Sequence, residues 1–308
     1  MERLIRIGTR ESELAVWQAT LVKNLLSQHG YKSELVYIKS EGDADLKTPL
    51  YELGVQGIFT KTLDIAMLNA KIDIAVHSMK DVPTMMAKGI ITAAVLPRAS
   101  YKDIIVLKGT DPAFLNNTVD AALIATSSTR RRAQWLNRYP NQNIENLRGN
   151  VNTRLQKVKD NNWHGAIFAA AGLERINLRP EHAYDLDWML PAPAQGAIVI
   201  TCLQDDDFSK TACLKLHDQN TAICTTAERD YLRALMGGCT TPISALATIA
   251  DGQLHFKGNI LSLDGKKKKE VSLSAPLHNV AGIGQRAAEA LLQDGGQEIL
   301  DEVRNAQK

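Results

Sequence analysis

Residues 3–26 read RLIRIGTRESELAVWQATLVKNLL, and a change of period inside them decides the fold. RLIRIGT is strand-like, whereas SELAVWQATLVKNLL sets Leu14, Trp17, Leu21 and Leu25 on one helical stripe. A strand entering a helix through the polar turn Arg10-Glu11-Ser12 is the repeating unit of an α/β sheet. KSELVYIKS then reads as a strand, FTKTLDIAMLNA as a helix and DIAVHS (73–78) as a buried strand. This order predicts an α/β domain with a largely parallel sheet. Residues 103–190 repeat the style in DIIVL, ALIATSSTRRRAQWLNRY, IENLR, VNTRLQKVKD and GAIFAAAGLERI. In such sheets ligands sit at the carboxyl ends of strands, where loops enter helices. Both halves place a hydroxyl-rich turn there, IGTRES at 7–12 and IATSSTRR at 124–131, which predicts two lobes facing a shared cleft. The Pro- and Ala-rich segments 96–100 and 190–197 read as the crossings between them.

After residue 220 the style changes. TAERDYLRAL is helical, and ISALATIA, QLHFKGNILSL and KEVSLSAP are strand-like runs joined through Asp251-Gly252 and Asp264-Gly265, both hairpin signals. A helical GIGQRAAEALLQDGGQEILDEV closes this small α+β domain.

The chain has 308 residues, is 44% hydrophobic and 23% charged, and carries a net charge of +2. That balance is globular and excludes a general polyanion binder. No run of 18 apolar residues predicts a membrane span, and the acids and arginines of the first 18 residues do not suit a signal peptide, so a cytoplasmic protein is expected. The charge is local. Residues 126–154 hold six arginines (130, 131, 132, 138, 148, 154) against the single acid Glu145, or +5. Cysteines 202, 213, 224 and 239 show no metal-ligand spacing, so no metal is expected. Cys202 lies in an apolar strand-like run, and Cys239 in the Gly-rich loop MGGCTTP.

TSSTRR taken alone is an ordinary capped helix start. Against that stands its concentration of donors: backbone N–H groups, three hydroxyls and adjacent guanidinium forks, all suited to an anion. LRGNVNTR repeats the offer with Arg148, Gly149, Asn150 and Arg154, and the first lobe adds Arg10 and Ser12. Neither a P-loop nor a dinucleotide fingerprint occurs. Aromatics make up only 5% and do not interleave with the basic residues, so nucleic acid is not expected. Lys80 and Asp81 taken alone read as a surface ion pair. Beside an anion site, however, Asp81 opposes ligand binding unless the reaction develops positive charge, which points to a cationic intermediate on an anionic substrate.

HSMKDVP, TSSTRRRAQ, LRGNVNTRL, AAAGLERI, PAQGA and GGCTTP, in this order and spacing, resemble the hydroxymethylbilane synthase (porphobilinogen deaminase) family, over essentially the whole chain. The resemblance implies two periplasmic-binding-protein-like (type II) lobes, residues 1–97 with 197–216 and residues 102–191, plus a small α+β domain at 219–308. It implies a transferase of haem biosynthesis that condenses four porphobilinogen molecules head to tail, releasing ammonia each time, and then releases the linear tetrapyrrole by hydrolysis. The primer is a dipyrromethane cofactor held by a thioether to a cysteine that matches Cys239, and the catalytic carboxylate matches Asp81. Lys80, Thr126, Ser127, Ser128, Arg130, Arg131, Arg148 and Gly149 match the cofactor's surroundings. Arg10, Ser12, Phe59, Arg154, Arg175 and Gln195 match the substrate's, with Phe59 suited to ring stacking. A monomer with porphobilinogen as its partner, and no membrane, is the implied state. Gln56 and Glu41 depart from the common pattern, standing where many members carry Lys and Arg. The competing reading is a two-lobed carboxylate-binding protein without catalysis.

Overall fold

The computed structural model describes residues 3–39, 60–109, 111–116, 121–237 and 241–306. Its strands, in chain order, begin with β1 (Ile5–Thr9), β2 (Ser33–Tyr37), β3 (Ile74–Ser78), β4 (Ile90–Val95), β5 (Asp103–Leu107) and β6 (Leu123–Ala125). They continue with β7 (Asn143–Glu145), β8 (Gly165–Ala169), β9 (Ala183–Asp185), β10 (Ile198–Leu203), β11 (Ile243–Ala250), β12 (Gln253–Leu261) and β13 (Lys268–Pro276). The helices are α1 (Glu13–Gln28), α2 (Lys61–Leu68), α3 (Thr129–Arg138), α4 (Val151–Asp160) and α5 (Ala170–Glu174), then α6 (Asp207–Leu214), α7 (Gln219–Ala234), α8 (Ile283–Leu291) and α9 (Gln297–Asn305). Among the described residues no helix is long and apolar enough to cross a membrane.

The chain forms two compact units. The first takes its described residues from Met1–Leu46, Val55–Ala99 and Gly196–Ala222, the second from Ser100–Gln195 and Ile223–Lys308. The first unit's sheet runs β2-β1-β3-β10-β4, with β1 parallel to β2 and β3, and β10 antiparallel to β3 and β4. In the second unit a sheet of order β7-β6-β8-β5-β9 repeats this plan: β6 is parallel to β7 and β8, and β5 is antiparallel to β8 and β9. Four of the five strands in each sheet run parallel, as the β-α-β order predicts, and one reversed strand, β10 or β5, makes the sheet mixed. In each sheet the antiparallel strand lies beyond a crossing segment, where local periodicity carries no direction.

Helix α1 also departs from expectation. It buries Ala15, Gln18, Ala19, Val22 and Leu26, one residue beyond the expected stripe, and Trp17 is exposed. The small side chains Ala15 and Ala19 let the helix approach the sheet closely, and Leu21 and Leu25 pack at the margin of the core built from Ile5, Ile7, Ile74 and Ile200. The start of β3 is held by an ion cluster. Arg6 N and Nε donate to Asp73 Oδ2 at 2.8 and 2.9 Å, and Arg3 and Arg6 Nη2 donate to Oδ1 at 2.9 Å each. Arg3 also bridges to Asp206, which caps α6.

Burial alone would raise the Asp73 carboxyl, but the arginine hydrogen bonds outweigh it and bring its pKa down from 3.8 to about 2. A depressed carboxylate pKa stabilises the fold fully above the unfolded value, and the contribution disappears as pH falls from about 4 towards 2. Solvent around the half-exposed arginines limits the effect to about 1–2 kcal/mol. Asp73→Asn is expected to flatten this limb of a urea-stability profile measured between pH 5 and 2. An unchanged acid limb would show that the cluster contributes nothing.

In the second unit, β11-β12-β13 form an antiparallel sheet whose inner face packs Phe256, Ile260 and Ala245 against Tyr231 of α7 and Ala287 and Leu291 of α8. Asp251 and Gly252 both take positive φ (50° and 72°), the backbone a two-residue hairpin turn requires. The single closing helix expected over 282–303 is corrected to two. Gly295 at φ 92° breaks the helix, and α9 starts anew after it.

Candidate functional site

In the first unit the expected residues lie at the carboxyl ends of β1 and β3. Arg10 follows β1, and Ser12 stands at the N-cap of α1 without spending its hydroxyl on the helix. A single 3-10 turn, Met79–Asp81, follows β3, stopped at Val82-Pro83. Its anchor is buried Met79, whose N–H donates to Ala197 O at 3.0 Å. Buried Gln18 of α1 donates to Ser78 Oγ at 2.9 Å, fixing the strand end. Lys80 and Asp81 are both half-buried on this turn. Among the described residues Asp81 makes no hydrogen bond or ion pair, so the two residues do not form the surface ion pair that they suggest when taken alone. His77 is buried, and that burial, reinforced by the charge of Arg10, lowers its pKa from 6.5 to about 4. It is a neutral imidazole at pH 7, and the cationic character of these loops rests on Arg10 and Lys80.

In the second unit the basic run resolves into separate tasks. Helix α3 is anchored by Trp135, fully buried, with Nε1 donating to Gln142 Oε1 at 2.9 Å and its ring against Tyr139 and Trp188. Arg138 stacks over Trp188, 5.0 Å from the ring centroid, so its charge serves packing. At the other end of α3, Arg130 and Arg131 are buried and turn onto Asp103, the first residue of β5 and 0% exposed. Arg130 Nη1 donates to Asp103 Oδ2 at 2.7 Å and to Leu190 O at 2.9 Å. Arg131 donates from Nε to Asp103 Oδ1 (2.9 Å) and from Nη1 to Ile167 O (3.0 Å), and its Nη2 forms an ion pair with the same Oδ1 at 2.7 Å. Gln195 Nε2 donates to the same Oδ1 at 3.1 Å and to Tyr101 O at 2.8 Å. The forks expected to present themselves outward are therefore largely engaged within the protein. The remaining edge of Arg130, Nε with Nη2, includes a buried Nε without an acceptor.

The hydroxyls of the turn also take part in local hydrogen bonds. Ser127 Oγ donates to Leu147 O and accepts from Leu147 N, both at 2.8 Å, tying the two basic loops together. Thr126 Oγ1 accepts from Ser128 N at 3.2 Å, and Ser128 caps α3 by accepting from Arg131 N at 3.4 Å. Ser127 thus spends its hydroxyl hydrogen within the protein, whereas Thr126 and Ser128 use only an oxygen lone pair and keep a hydrogen to donate. In the next loop Gly149 sits at φ +115°, and an added Cβ would fall 2.7 Å from Thr153, so only glycine suits the approach. Asn150 caps α4, Arg154 Nε donates to Gly149 O at 2.7 Å, and Arg148 is buried beneath this loop. Arg175 follows α5, and its burial lowers the guanidinium pKa, so a nearby anion would be favoured there. Glu145, the one acid of the run, is taken by Trp163 Nε1 at 2.6 Å.

Asp103 escapes a sequence reading, as does Glu228 of α7. Glu228 is fully buried and accepts from Ala194 N at 2.6 Å and Ala247 N at 2.8 Å, holding Ala194 at φ 61° just before Gln195. The available signal for Asp103 is an acid opening an otherwise wholly apolar strand, where burial demands a cation. A cavity of about 430 Å³ between the 186–191 loop and the outer face of β12 and β13 takes none of the expected residues in its lining. Phe59 and Cys239, with Gln56 and Glu41, lie outside the described residues.

Two sheets of one plan, with arginine-bearing loops beyond their parallel strands, define a two-unit α/β protein. Residues 5–211 match the family model described as "Porphobilinogen deaminase, dipyromethane cofactor binding domain", and residues 222–293 match "Porphobilinogen deaminase, C-terminal domain". The chain belongs to the porphobilinogen deaminase family. Similar relatives include the porphobilinogen deaminases of Syntrophotalea carbinolica (40% identical, 96% of this chain and 95% of the relative) and Geotalea uraniireducens (40%, 98% and 95%). Among solved structures, the methionine-binding protein MetQ gives a TM-score of 0.43 at 11% identity, over 73% of this chain and 94% of its own. The Bordetella pertussis BvgS VFT2 domain gives 0.43 at 9% identity, over 69% and 86%.

Proposed function

We propose that this chain condenses four porphobilinogen molecules head to tail, with loss of ammonia at each addition, and releases the linear tetrapyrrole hydroxymethylbilane. The reading places Asp81 as the catalytic carboxylate and Cys239 as the anchor of a dipyrromethane primer. It is carried by one observation: among the described residues Asp81, on the turn after β3, has no hydrogen-bond or ion-pair partner, although Arg10 and Lys80 occupy the same set of loops. A carboxylate left without a counter-ion is suited to charge that appears only during reaction.

The donor set of the second unit fits a dipyrromethane, whose four carboxylates call for several guanidiniums. The buried, acceptor-less Nε of Arg130 is the sign within the chain that a group from outside completes this place. Arg130, Arg148 and Arg175 would hold its acetates and propionates, with Gly149 allowing close approach of the backbone. When bound, the primer supplies the nucleophilic pyrrole carbon that takes up each substrate unit. Asp81 accepts a hydrogen bond from the substrate's pyrrole N–H and offsets the positive charge that develops there as ammonia departs. Arg10, Ser12 and Lys80 bind substrate carboxylates.

Intact-mass analysis tests the reading. The purified protein is expected to carry two condensed pyrrole units and to show a ladder of added units on incubation with porphobilinogen. A carboxylate-binding protein without catalysis shows neither. Arg130→Lys keeps the charge but lacks the side-on fork, so it is expected to raise KM roughly tenfold while retaining the primer. An unchanged KM would remove Arg130 from the binding set.

A further inference from the structure

We infer that Asp103, seconded by Gln195, is a positioning residue of the second unit's carboxylate-binding arginines: it fixes which edge of Arg130 meets the ligand and halves the charge of the pair. The inference rests on the reading that these arginines hold the carboxylates of the primer and the growing chain.

Asp103 is placed rigidly. It opens β5, which is paired on one side to β8, with Asp103 opposite Ala169, and on the other to β9. Hydrogen-bond capacity then settles the division of labour. Arg131 is fixed in plane by Nε on Asp103 Oδ1 and Nη1 on Ile167 O, with Nη2 2.7 Å from the same Oδ1. Arg130 spends both hydrogens of Nη1 on Asp103 and Leu190 O. What remains is the Nε–Nη2 edge, two parallel donors in the geometry that takes a carboxylate side-on. Without Asp103 the guanidinium would turn about its long stem and offer any edge. Gln195 holds Asp103 Oδ1 from the far side, and Glu228 in turn fixes the neighbouring Ala194.

The charge balance has its own consequence. Two guanidiniums against one carboxylate leave a net +1 in a buried place. Burial alone would raise the Asp103 pKa, but the Arg130 and Arg131 charges overcome that and hold the carboxyl well below the usual range, so the balance does not titrate near neutral pH. A chain that gains carboxylates with each addition has to shift through such a site. A pair at +2 would retain it more tightly than a pair at +1.

The experiment compares primer-loaded Asp103→Asn, Asp103→Glu and Gln195→Ala with wild type. The readouts are kcat, KM and the population of enzyme-bound intermediates by intact mass. Molecules that carry the primer are folded, so a purely structural role leaves their constants unchanged. Asp103→Asn is expected to lower kcat roughly 10- to 100-fold, with intermediates accumulating on the enzyme. Asp103→Glu, which restores the charge one methylene out of place, is expected to bring the intermediate distribution back towards wild type with kcat still reduced. Gln195→Ala, which leaves the charge untouched, is expected to lower kcat/KM roughly 3- to 10-fold. Wild-type constants and ladder in loaded Asp103→Asn overturn the inference. If that variant does not load, wild-type constants in Gln195→Ala overturn it in its place. Absence of the two-pyrrole mass from the wild-type protein would instead overturn the parent reading, so the two failures are distinct.

Discussion

Asp81→Asn is expected to fold, to keep its primer and to lose roughly 10²- to 10⁴-fold of its turnover. The size of the effect follows from what the carboxylate does not do in the resting protein. Asp81 has no ion pair or hydrogen bond among the described residues, so the amide removes no structural contact, and stability should stay within about 0.5 kcal/mol of wild type. The loss falls on the reacting state alone. Departure of ammonia leaves a substrate whose pyrrole nitrogen bears positive charge, and a neutral amide oxygen offsets that charge far less than a carboxylate. The turn of Met79–Asp81 keeps the side chain in place through buried Met79, so the comparison is between two groups of one shape in one position. Steady-state product formation together with intact mass checks this. Near-normal turnover by primer-loaded Asp81→Asn would end the assignment.

Much of this architecture was legible because it is written in short-range pattern. The turn at Asp251-Gly252 needs two positive-φ residues, and the sequence supplies the pair best suited to them. Arg10, Lys80, Asp81 and Arg148 fall in the turns beyond a strand's carboxyl end, and Arg130 in the first turn of the helix that follows β6, as the strand–helix alternation predicts. What was illegible depends on distant residues. The direction of β10 is set by its neighbours β3 and β4, more than a hundred residues earlier. The stripe of α1 was displaced by one residue because bulk, rather than hydrophobicity, decides which face fits the sheet, and Ala15 and Ala19 fit where Leu14 and Trp17 do not. The basic run of 126–154 misled in the same way. Its charge suggested open donors, but charge alone does not say that Asp103 at the start of β5 and Trp188 in a distant loop take up three of the arginines. Asp73 and Asp103 share one signature, an acid opening a buried apolar strand, and each collects two arginines. A buried carboxylate at such a position is therefore as informative as the arginines themselves.

Cys239→Ala is expected to reduce activity to background and to abolish the two-pyrrole mass increment, whereas alanine at Cys202, Cys213 or Cys224 leaves the increment in place. The selectivity has a physical basis in the three other thiols. Cys202 and Cys213 are fully buried, and burial pushes their thiols up to about 11 and about 12, so almost no thiolate is present near neutral pH. Cys224 is buried in the core of the second unit beneath Ala227 and Tyr231. None of these sulfurs offers a nucleophile to a pyrrole carbon approaching from solvent. Cys239 lies outside the described residues, and its case rests on sequence: Gly237 and Gly238 precede it, and glycines permit backbone paths closed to other residues. A thioether formed there by attack of the thiolate on the electrophilic carbon that loss of ammonia exposes would anchor the chain at one end, leaving the other end for addition. Loss of the sulfur removes the anchor itself rather than slowing a step, so no partial activity should survive. Peptide mapping of the wild-type protein decides the matter. An adduct on any of the other three cysteines, or no adduct in freshly purified active protein, would remove Cys239 from its assigned place.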